Sequence, residues 1–184
     1  IIDAERTWCT THEDLDFDAT DILNGESGGW YSDHGTAVLG IYGACDNAYG
    51  VTGMTPDVTL KAIDHNSETS DAAAIAAADL YAVSGEIVLL ETHIPGPDTG
   101  GICPCNCTQY EYVPLEWLQA NYDAIAAATA NGIIMVEAGG NGSVDLDHAV
   151  YGSVFQRWFR DSEAILVGAS NTDHTPACFT NHGN

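Results

Sequence analysis

Short apolar runs alternate with longer helix-like stretches along the chain. Each run is apolar on successive residues and rich in β-branched side chains, which predicts strands of a sheet covered on both faces. These runs occupy residues 1–2, 58–63, 86–90, 133–137 and 164–167. The stretches between them predict helices at residues 34–44, 70–83 and 114–130.

Residues at the predicted helix ends support these boundaries. Ser70 precedes an alanine-rich stretch and is typical of an N-cap, and Pro114 suits the first turn of a helix. Asn131 and Gly132 follow the third stretch and predict its C-terminal stop.

Strands that alternate with helices of this length predict an α/β fold with a doubly wound, mostly parallel sheet. Ligands of such sheets bind beyond the carboxyl ends of the strands. Asp3, Glu91 and the Gly-Gly-Asn-Gly sequence at 139–142 each lie at the exit of a predicted strand. We therefore expect one domain over residues 1–184, with its functional site at this edge of the sheet.

The charge of the chain restricts its partners. There are 27 acidic residues and 4 basic residues, which gives a formal net charge of −23. Such a chain repels nucleic acid and anionic membranes, and it has no apolar run long enough to span a membrane. Two interpretations of the acidity remain open, namely adaptation to high salt and ordinary acidic secretion with bound cations.

Six cysteines in so short a chain favour an oxidising compartment. Three of them alternate at Cys103, Cys105 and Cys107, so one bridge from this cluster to each scattered cysteine is arithmetically feasible. The scattered cysteines are Cys9, Cys45 and Cys178. A thiolate metal site is the rival interpretation, but the cluster lacks the Cys-x-x-Cys spacing of zinc knuckles, which favours disulfides.

The cysteine cluster belongs to a segment without periodicity at about 94–112, rich in proline, glycine and cysteine. It is long for a loop in a compact domain. The pattern favours a stapled surface insertion, with a flap that contacts substrate as the alternative.

An acid and a base are candidates for proton transfer. His34 lies where a helix is predicted to start, a position that keeps imidazole neutral and suits a general base. Asp3 follows an apolar strand, where a partly buried carboxylate needs a partner. A histidine would be that partner, and the pairing would fix the imidazole tautomer. The alternative for Asp3 is a turn-capping role.

The sequence before and at residues 139–142 is the candidate for binding a developing negative charge. Gly139 and Gly140 let the backbone approach a ligand, and the amide of Asn141 donates hydrogen bonds without being ionised. Those properties suit the oxyanion of an acyl-transfer reaction. A simple turn is the alternative.

Taken together, these segments resemble the subtilisin-like (subtilase) serine peptidases, whose triad runs in the order Asp, His, Ser with an oxyanion Asn between the last two. Besides Ile2 and Asp3, the resemblance includes Trp8 and Glu137, which are typical of one bacterial subgroup. It also covers the sequences THEDL at 11–15, HGTAVLG at 34–40, GVTGMTP at 50–56 and FTNHG at 179–183. The resemblance implies that Asp3, His34 and Asn141 are catalytic.

Substrate-binding residues follow from the same resemblance. Glu91, Thr92 and His93 stand where many subtilases have a Ser-Leu-Gly strand that pairs with the substrate. We expect these residues, with Gly139 and Gly140, to bind the substrate backbone and to alter the pocket for the residue before the cut. His93 is a second candidate base, although an exposed histidine is the simpler interpretation.

The nucleophile of the family is missing from the sequence. Its Gly-Thr-Ser-x-Ala motif does not occur, and the serines after Asn141 lie in other settings, at Ser143, Ser153, Ser162 and Ser170. We therefore expect a fragment whose subtilisin-like fold is incomplete at its C-terminal side and which is inactive by itself. A catalytically dead binding module with an acidic, cation-binding surface is the alternative.

The resemblance also implies the setting of the full-length protein. It would be a secreted, extracellular endopeptidase that acts on polypeptides, requires no cofactor and is monomeric. Structural calcium is common in the family, but its ligands cannot be assigned from this sequence.

Overall fold

A parallel sheet of six strands forms the centre of the described part of the chain. The computed structural model describes residues 1–25, 32–66 and 68–183. The strands are β1 (Ile2–Glu5), β2 (Ile22–Asn24), β3 (Lys61–Asp64), β4 (Ile87–Leu90), β5 (His93–Pro95), β6 (Tyr112–Pro114), β7 (Ile134–Ala138) and β8 (Ile165–Val167). The α-helices are α1 (Ser32–Gly43), α2 (Asp71–Tyr81) and α3 (Gln119–Ala130), and short 3-10 helices lie at Ala19–Asp21, Leu115–Trp117 and Ala149–Tyr151.

The order of strands in the main sheet is β2-β3-β1-β4-β7-β8, and every neighbouring pair is parallel. The predicted α/β fold with a mostly parallel sheet is therefore confirmed. Strands β5 and β6 form a separate antiparallel pair that flanks the cysteine-rich segment.

Helices cover both faces of the sheet, as a doubly wound fold requires. Helices α2 and α3 pack on the face that carries Leu90 and Met135. Helix α1 packs on the opposite face, in a cluster with Trp8 and Leu89. Because successive residues of a strand point to opposite faces, Leu89 and Leu90 of β4 serve different layers.

The layer that holds α1 does not extend over the whole sheet. Leu89 pairs with Val136 and Val136 pairs with Ile165, so these residues share a face. On that face Ile134, Ile165 and Val167 are 43%, 54% and 51% exposed. The β7–β8 half of this face is therefore apolar and open to solvent.

The helix caps of the sequence are partly confirmed. The Ser70 hydroxyl accepts from Ala73 N and caps α2, and Asn131 with Gly132 ends α3, with Gly132 at φ +85°. Pro114 ends β6, where it pairs with His93, and it is the N-cap of the 3-10 helix Leu115–Trp117. Because α3 begins only at Gln119, Pro114 precedes a helical turn but does not lie in the first turn of α3.

Strand β1 is longer than predicted. It continues through Asp3 to Glu5, because parallel pairing with β3 extends to Glu5 opposite Asp64. Asp3 is consequently inside the strand, and Glu5 is the residue at its exit.

Two disulfides fasten the cysteine-rich segment. Cys103 bonds to Cys107, and Cys105 bonds to Cys178. The preference for disulfides over a thiolate metal site is confirmed, and so is a bridge from the cluster to Cys178. Cys9 and Cys45 are free thiols, so the other two bridges to scattered cysteines are absent.

None of the described helices is long and apolar enough to cross a membrane.

Candidate functional site

The candidate site lies at the carboxyl edge of the parallel sheet. Glu5 ends β1, Glu91 follows β4, and Asn141 follows β7 by three residues. His34 is the third residue of α1, on the face that this helix covers. The edge predicted from the sequence is therefore the edge at which these polar side chains meet.

His34 is held by a carboxylate, and that carboxylate is Glu5. His34 Nδ1 lies 2.7 Å from Glu5 Oε1, and the side chains are 60% and 10% exposed, respectively. A carboxylate on Nδ1 fixes the tautomer in which Nδ1 carries the proton. Nε2 is then the ring nitrogen left to take up another proton.

The carboxylate also sets the basicity of the imidazole. The hydrogen bond to Glu5 raises the pKa of His34, burial opposes the rise, and the charges of Glu5, Glu91 and Asp3 add to it. These carboxylates favour the charged form of His34 and so oppose the effect of the helix start, which favours the neutral form.

Asp3 does not bond to His34, so the predicted pairing is wrong. Asp3 is fully buried, and its Oδ2 accepts a hydrogen bond of 2.7 Å from Trp8 Nε1. Burial raises the pKa of Asp3 well above its ordinary value. The physical reason is the strand geometry: Asp3 and Glu5 share a face, but Asp3 lies about 7 Å further back along β1.

The loop after β7 is shaped by close contacts of its glycines. Gly140 has φ +90°, and a Cβ there would lie 2.5 Å from Asn181 Nδ2. Gly139 N donates to Val167 O at 2.8 Å, which ties the loop to β8. Gly140 therefore allows a backbone conformation and a close contact that a side chain would prevent, and Gly139 joins the loop that carries Asn141 to β8.

Asn181 anchors this loop and was not predicted as a site residue. Its Nδ2 donates to Tyr112 O at 2.7 Å and to Gly139 O at 2.8 Å. Its Oδ1 accepts from Val144 N at 3.1 Å. The signal in the sequence was the FTNHG motif, which includes this asparagine.

Asn141 contacts His93 and Gln109. Its backbone N donates to His93 Nδ1 at 3.2 Å, and its Nδ2 lies 3.3 Å from Gln109 Oε1. Gln109 belongs to the cysteine-rich segment, and its Nε2 lies 3.4 Å from His93 Nε2. The segment is therefore stapled by its disulfides and also contacts the residues of the site.

His93 is half-buried at the start of β5. Its ring lies against Tyr112 with centroids 4.7 Å apart. Burial lowers the pKa of His93, and the nearby charge of His34 lowers it further. Both effects favour the neutral form of His93 beside the Asn141 loop.

Glu91 and Thr92 connect β4 to β5, and both are half-buried. Burial raises the pKa of Glu91, and the charge of Glu5 raises it further. One edge of β5, which begins at His93, is occupied by β6. Glu91 and Asn141 line a cavity of about 280 Å³ between the ends of β4, β7 and β8.

Glu137 lies in β7 just before the loop and faces the opposite layer. It is fully buried, and its Oε1 accepts from Glu116 N at 3.0 Å. Burial raises the pKa of Glu137 to about 8, and the Glu116 charge contributes in the same direction. Its side chain therefore joins the end of β7, just before the loop, to the 3-10 helix Leu115–Trp117.

Two of the serines after Asn141, Ser143 and Ser162, have buried side-chain environments of different kinds. The Ser162 hydroxyl donates to Glu116 Oε2 at 2.7 Å, and Ser143 has a buried hydroxyl in the loop. Among the described residues, no serine hydroxyl is hydrogen-bonded to His34.

Known structures share this fold. The nisin leader peptidase NisP from Lactococcus lactis has a TM-score of 0.62 at 20% identity, covering 99% of this chain and 58% of that one. MycP1 without its N-terminal propeptide has a TM-score of 0.63 at 20% identity, covering 98% and 59%. The epidermin leader peptide processing serine protease EpiP from Staphylococcus aureus has a TM-score of 0.60 at 17% identity, covering 98% and 49%.

The chain thus spans about half to three fifths of the length of these structures. No curated protein sequence matches it significantly. The subtilase family model of the peptidase S8 group matches residues 10–184, nearly the whole chain. The chain therefore belongs to the subtilase family of serine peptidases.

Proposed function

We propose that the chain supplies the acid, the base and the oxyanion donor of a serine endopeptidase. The observation that carries the proposal is the 2.7 Å contact between Glu5 and His34 at the sheet edge, where Asn141 also lies. Glu5 takes the role that the sequence alone assigned to Asp3.

Each residue has a defined task in this proposal. Glu5 holds the Nδ1 proton of His34 and stabilises the imidazolium that forms. His34 Nε2 takes the proton of a serine hydroxyl and returns it to the leaving amine. The side-chain amide of Asn141 donates to the oxyanion of the tetrahedral intermediate.

The nucleophilic serine comes from outside these residues. This part of the proposal is supported by the described serines, none of which has a hydrogen bond to His34; the Ser162 hydroxyl donates to Glu116 instead. It is also supported by the exposed face at Ile134 and Val167, which leaves room for a further packed segment beside the site. The chain by itself would then be inactive.

The substrates in this proposal are extracellular polypeptides. Glu91, Thr92 and His93 would contact the residues before the cut, and Glu91 lines the same cavity as Gly139 and Gly140. The mechanism needs no cofactor, and structural calcium would serve stability alone. The net charge of −23 favours neither nucleic acid nor an anionic membrane as a partner, and the full-length enzyme would act as a monomer.

The experiment compares three proteins: the full-length protein, its His34→Ala variant, and residues 1–184 alone. We expect a serine-directed phosphonate to label the full-length protein only, and peptide hydrolysis to fall by at least about 10³-fold in the variant. Labelling of residues 1–184 alone would show that the nucleophile lies within them.

The alternative is a binding module with an acidic surface, which the charge of −23 favours. In that case the full-length protein would not be labelled, and His34→Ala would leave its activity in the host unchanged.

A further inference from the structure

Gln109 lies outside the proposed triad and contacts two residues of the site, His93 and Asn141. It is half-buried in the loop between β5 and β6. Its carboxamide lies 3.4 Å from His93 Nε2, 3.3 Å from Asn141 Nδ2 and 2.7 Å from Asn106 Nδ2. One amide group therefore connects a histidine to the proposed oxyanion donor.

The protonation of His93 determines how this amide is oriented. Asn141 N donates to His93 Nδ1, so Nδ1 carries a lone pair. In a neutral imidazole the proton then belongs to Nε2, which needs an acceptor. The group that faces Nε2 is the carboxamide of Gln109, and only its oxygen can accept a hydrogen bond.

The orientation of the Gln109 carboxamide determines the orientation of the Asn141 side-chain amide. The two ends of a carboxamide have nearly the same size, so the hydrogen-bond network decides which end faces which partner. With its oxygen toward His93, Gln109 presents its NH₂ to the side chains of Asn141 and Asn106, so the Asn106 amide must turn its own oxygen toward Gln109 as well. Asn141 must then accept with its own oxygen, which turns its NH₂ away from Gln109. The end of the Asn141 amide that points away has no hydrogen-bond partner among the described residues.

We propose that Gln109 is a positioning residue of the peptidase site, whose carboxamide, oriented by His93, turns the NH₂ of Asn141 toward the reacting carbonyl. The inference rests on the proposed function and adds to it a residue of the cysteine-rich segment. Gln109 itself does not touch the substrate and acts only through Asn141.

The test is a double-mutant cycle in the full-length protein, with peptide hydrolysis as the readout. Asn141→Ala should lower kcat by about 10²–10³-fold, as loss of an oxyanion donor does. Gln109→Ala should lower kcat by roughly 10-fold and leave KM within about twofold, because the donor stays but is no longer oriented. The double variant should be no slower than Asn141→Ala alone.

Gln109→Glu separates orientation from simple packing. The carboxylate fills the same space and accepts from His93, but it has no NH₂ for Asn141 and attracts the Asn141 NH₂ to itself. We therefore expect kcat to fall at least as far as in Gln109→Ala. Gln119→Ala, at an exposed glutamine on α3, is the matched control and should keep wild-type kcat.

The outcomes distinguish this inference from the proposed function. If His34→Ala is inactive and Gln109→Ala has wild-type kcat, or if the two losses multiply in the double variant, the positioning role is wrong and the triad stands. If His34→Ala is as active as the wild type, the proposed function fails, and the positioning role fails with it.

Discussion

The acid–base half of the site (Glu5 and His34) and its amide half (His93, Gln109 and Asn141) are built in different ways. Glu5 ends a strand of the central sheet and His34 lies in the first turn of a helix, so regular elements position both. The amide half is assembled from the first residue of β5, the loop after β7 and a segment that a disulfide fastens to Cys178. The first half depends on the fold and the second on a local structure added to it.

The two halves also shift the pKa of their histidines in opposite directions. The pKa of His34 is raised, because its ring bonds to a carboxylate and other carboxylates lie near. The pKa of His93 is lowered, because burial is the main influence and its hydrogen-bonding neighbours are neutral amides. One histidine is thereby suited to taking up a proton, and the other to holding a fixed tautomer.

The largest expected effect comes from breaking the acid–base half at Glu5. In the full-length protein, Glu5→Gln should lower kcat by about 10³–10⁴-fold, since an amide in this place no longer selects the productive tautomer. In the proposed mechanism, activity of the wild type requires unprotonated His34 and should therefore appear as pH rises through a raised pKa. Without the carboxylate, the acidic limb of kcat/KM should move to lower pH, as a pH–rate profile would measure.

Asp3→Asn is the matched control for Glu5→Gln. The new amide oxygen can still accept from Trp8 Nε1, so we expect kcat within a few-fold of wild type. If Asp3→Asn abolished activity while Glu5→Gln did not, Asp3 would be the triad acid in place of Glu5.

The second prediction breaks the amide half through its disulfide. The Cys105–Cys178 bridge closes a separation of 73 residues, so replacing both cysteines by serine should cost ~4 kcal/mol of unfolding free energy. The Cys103–Cys107 bridge closes only 4, and its loss should cost ~2 kcal/mol. Denaturant unfolding of the full-length protein measures both values.

The same pair of variants tests the comparison between the halves. Loss of Cys105–Cys178 should lower kcat while the titration of His34, followed by NMR, stays that of the wild type. A shift in the His34 titration would mean that the disulfide supports the acid–base half as well.

The third prediction concerns Glu137 beneath the amide half. Its pKa is about 8 in the folded protein against 4.5 unfolded, so the native state holds a proton that the unfolded state lacks between these values. The unfolding free energy should fall as pH rises from about 5 to about 8, by up to ~1.4 kcal/mol per pH unit from this group. Glu137→Gln keeps the acceptor for Glu116 N, is neutral, and should flatten this slope.

Glu13→Gln, at an exposed glutamate, is the control and should leave the slope of stability against pH unchanged. Equal slopes for the wild type and Glu137→Gln would show that Glu137 is ionised in the folded protein at neutral pH.

The acid–base half was predictable from the sequence except for its register. The strand, the helix and the sheet edge follow from apolar patterning, and the segment at 34–40 identifies His34. The pattern could not decide between Asp3 and Glu5, because alternate residues of a strand share a face. The pairing of Glu5 with Asp64 decides it, and that contact is not local in sequence.

The amide half was predictable only in part. The glycines and Asn141 are recognisable, but Gln109 lies 32 residues from Asn141 and has no periodic or motif signal. Its placement depends on which cysteines pair, and spacing alone leaves the pairing open. Non-local contacts that loops make with side chains are the part that patterning does not encode.

The smallest expected effect concerns one hydroxyl in the acid–base half. Thr36 Oγ1 accepts from Cys9 N at 2.8 Å and so joins the segment after β1 to α1. Thr36→Val removes the acceptor and should cost about 1 kcal/mol of unfolding free energy, with a few-fold lower kcat. Thr36→Ser keeps the hydroxyl and should restore both the unfolding free energy and kcat.

In the amide half, Thr108→Val removes only an exposed contact to Asn106. It should change neither the unfolding free energy nor kcat, because the loops there are held by the disulfides. If Thr36→Val and Thr108→Val lowered the unfolding free energy equally, single hydroxyls would stabilise both halves to the same extent. The stapled segment would then not differ in this respect from the regular elements.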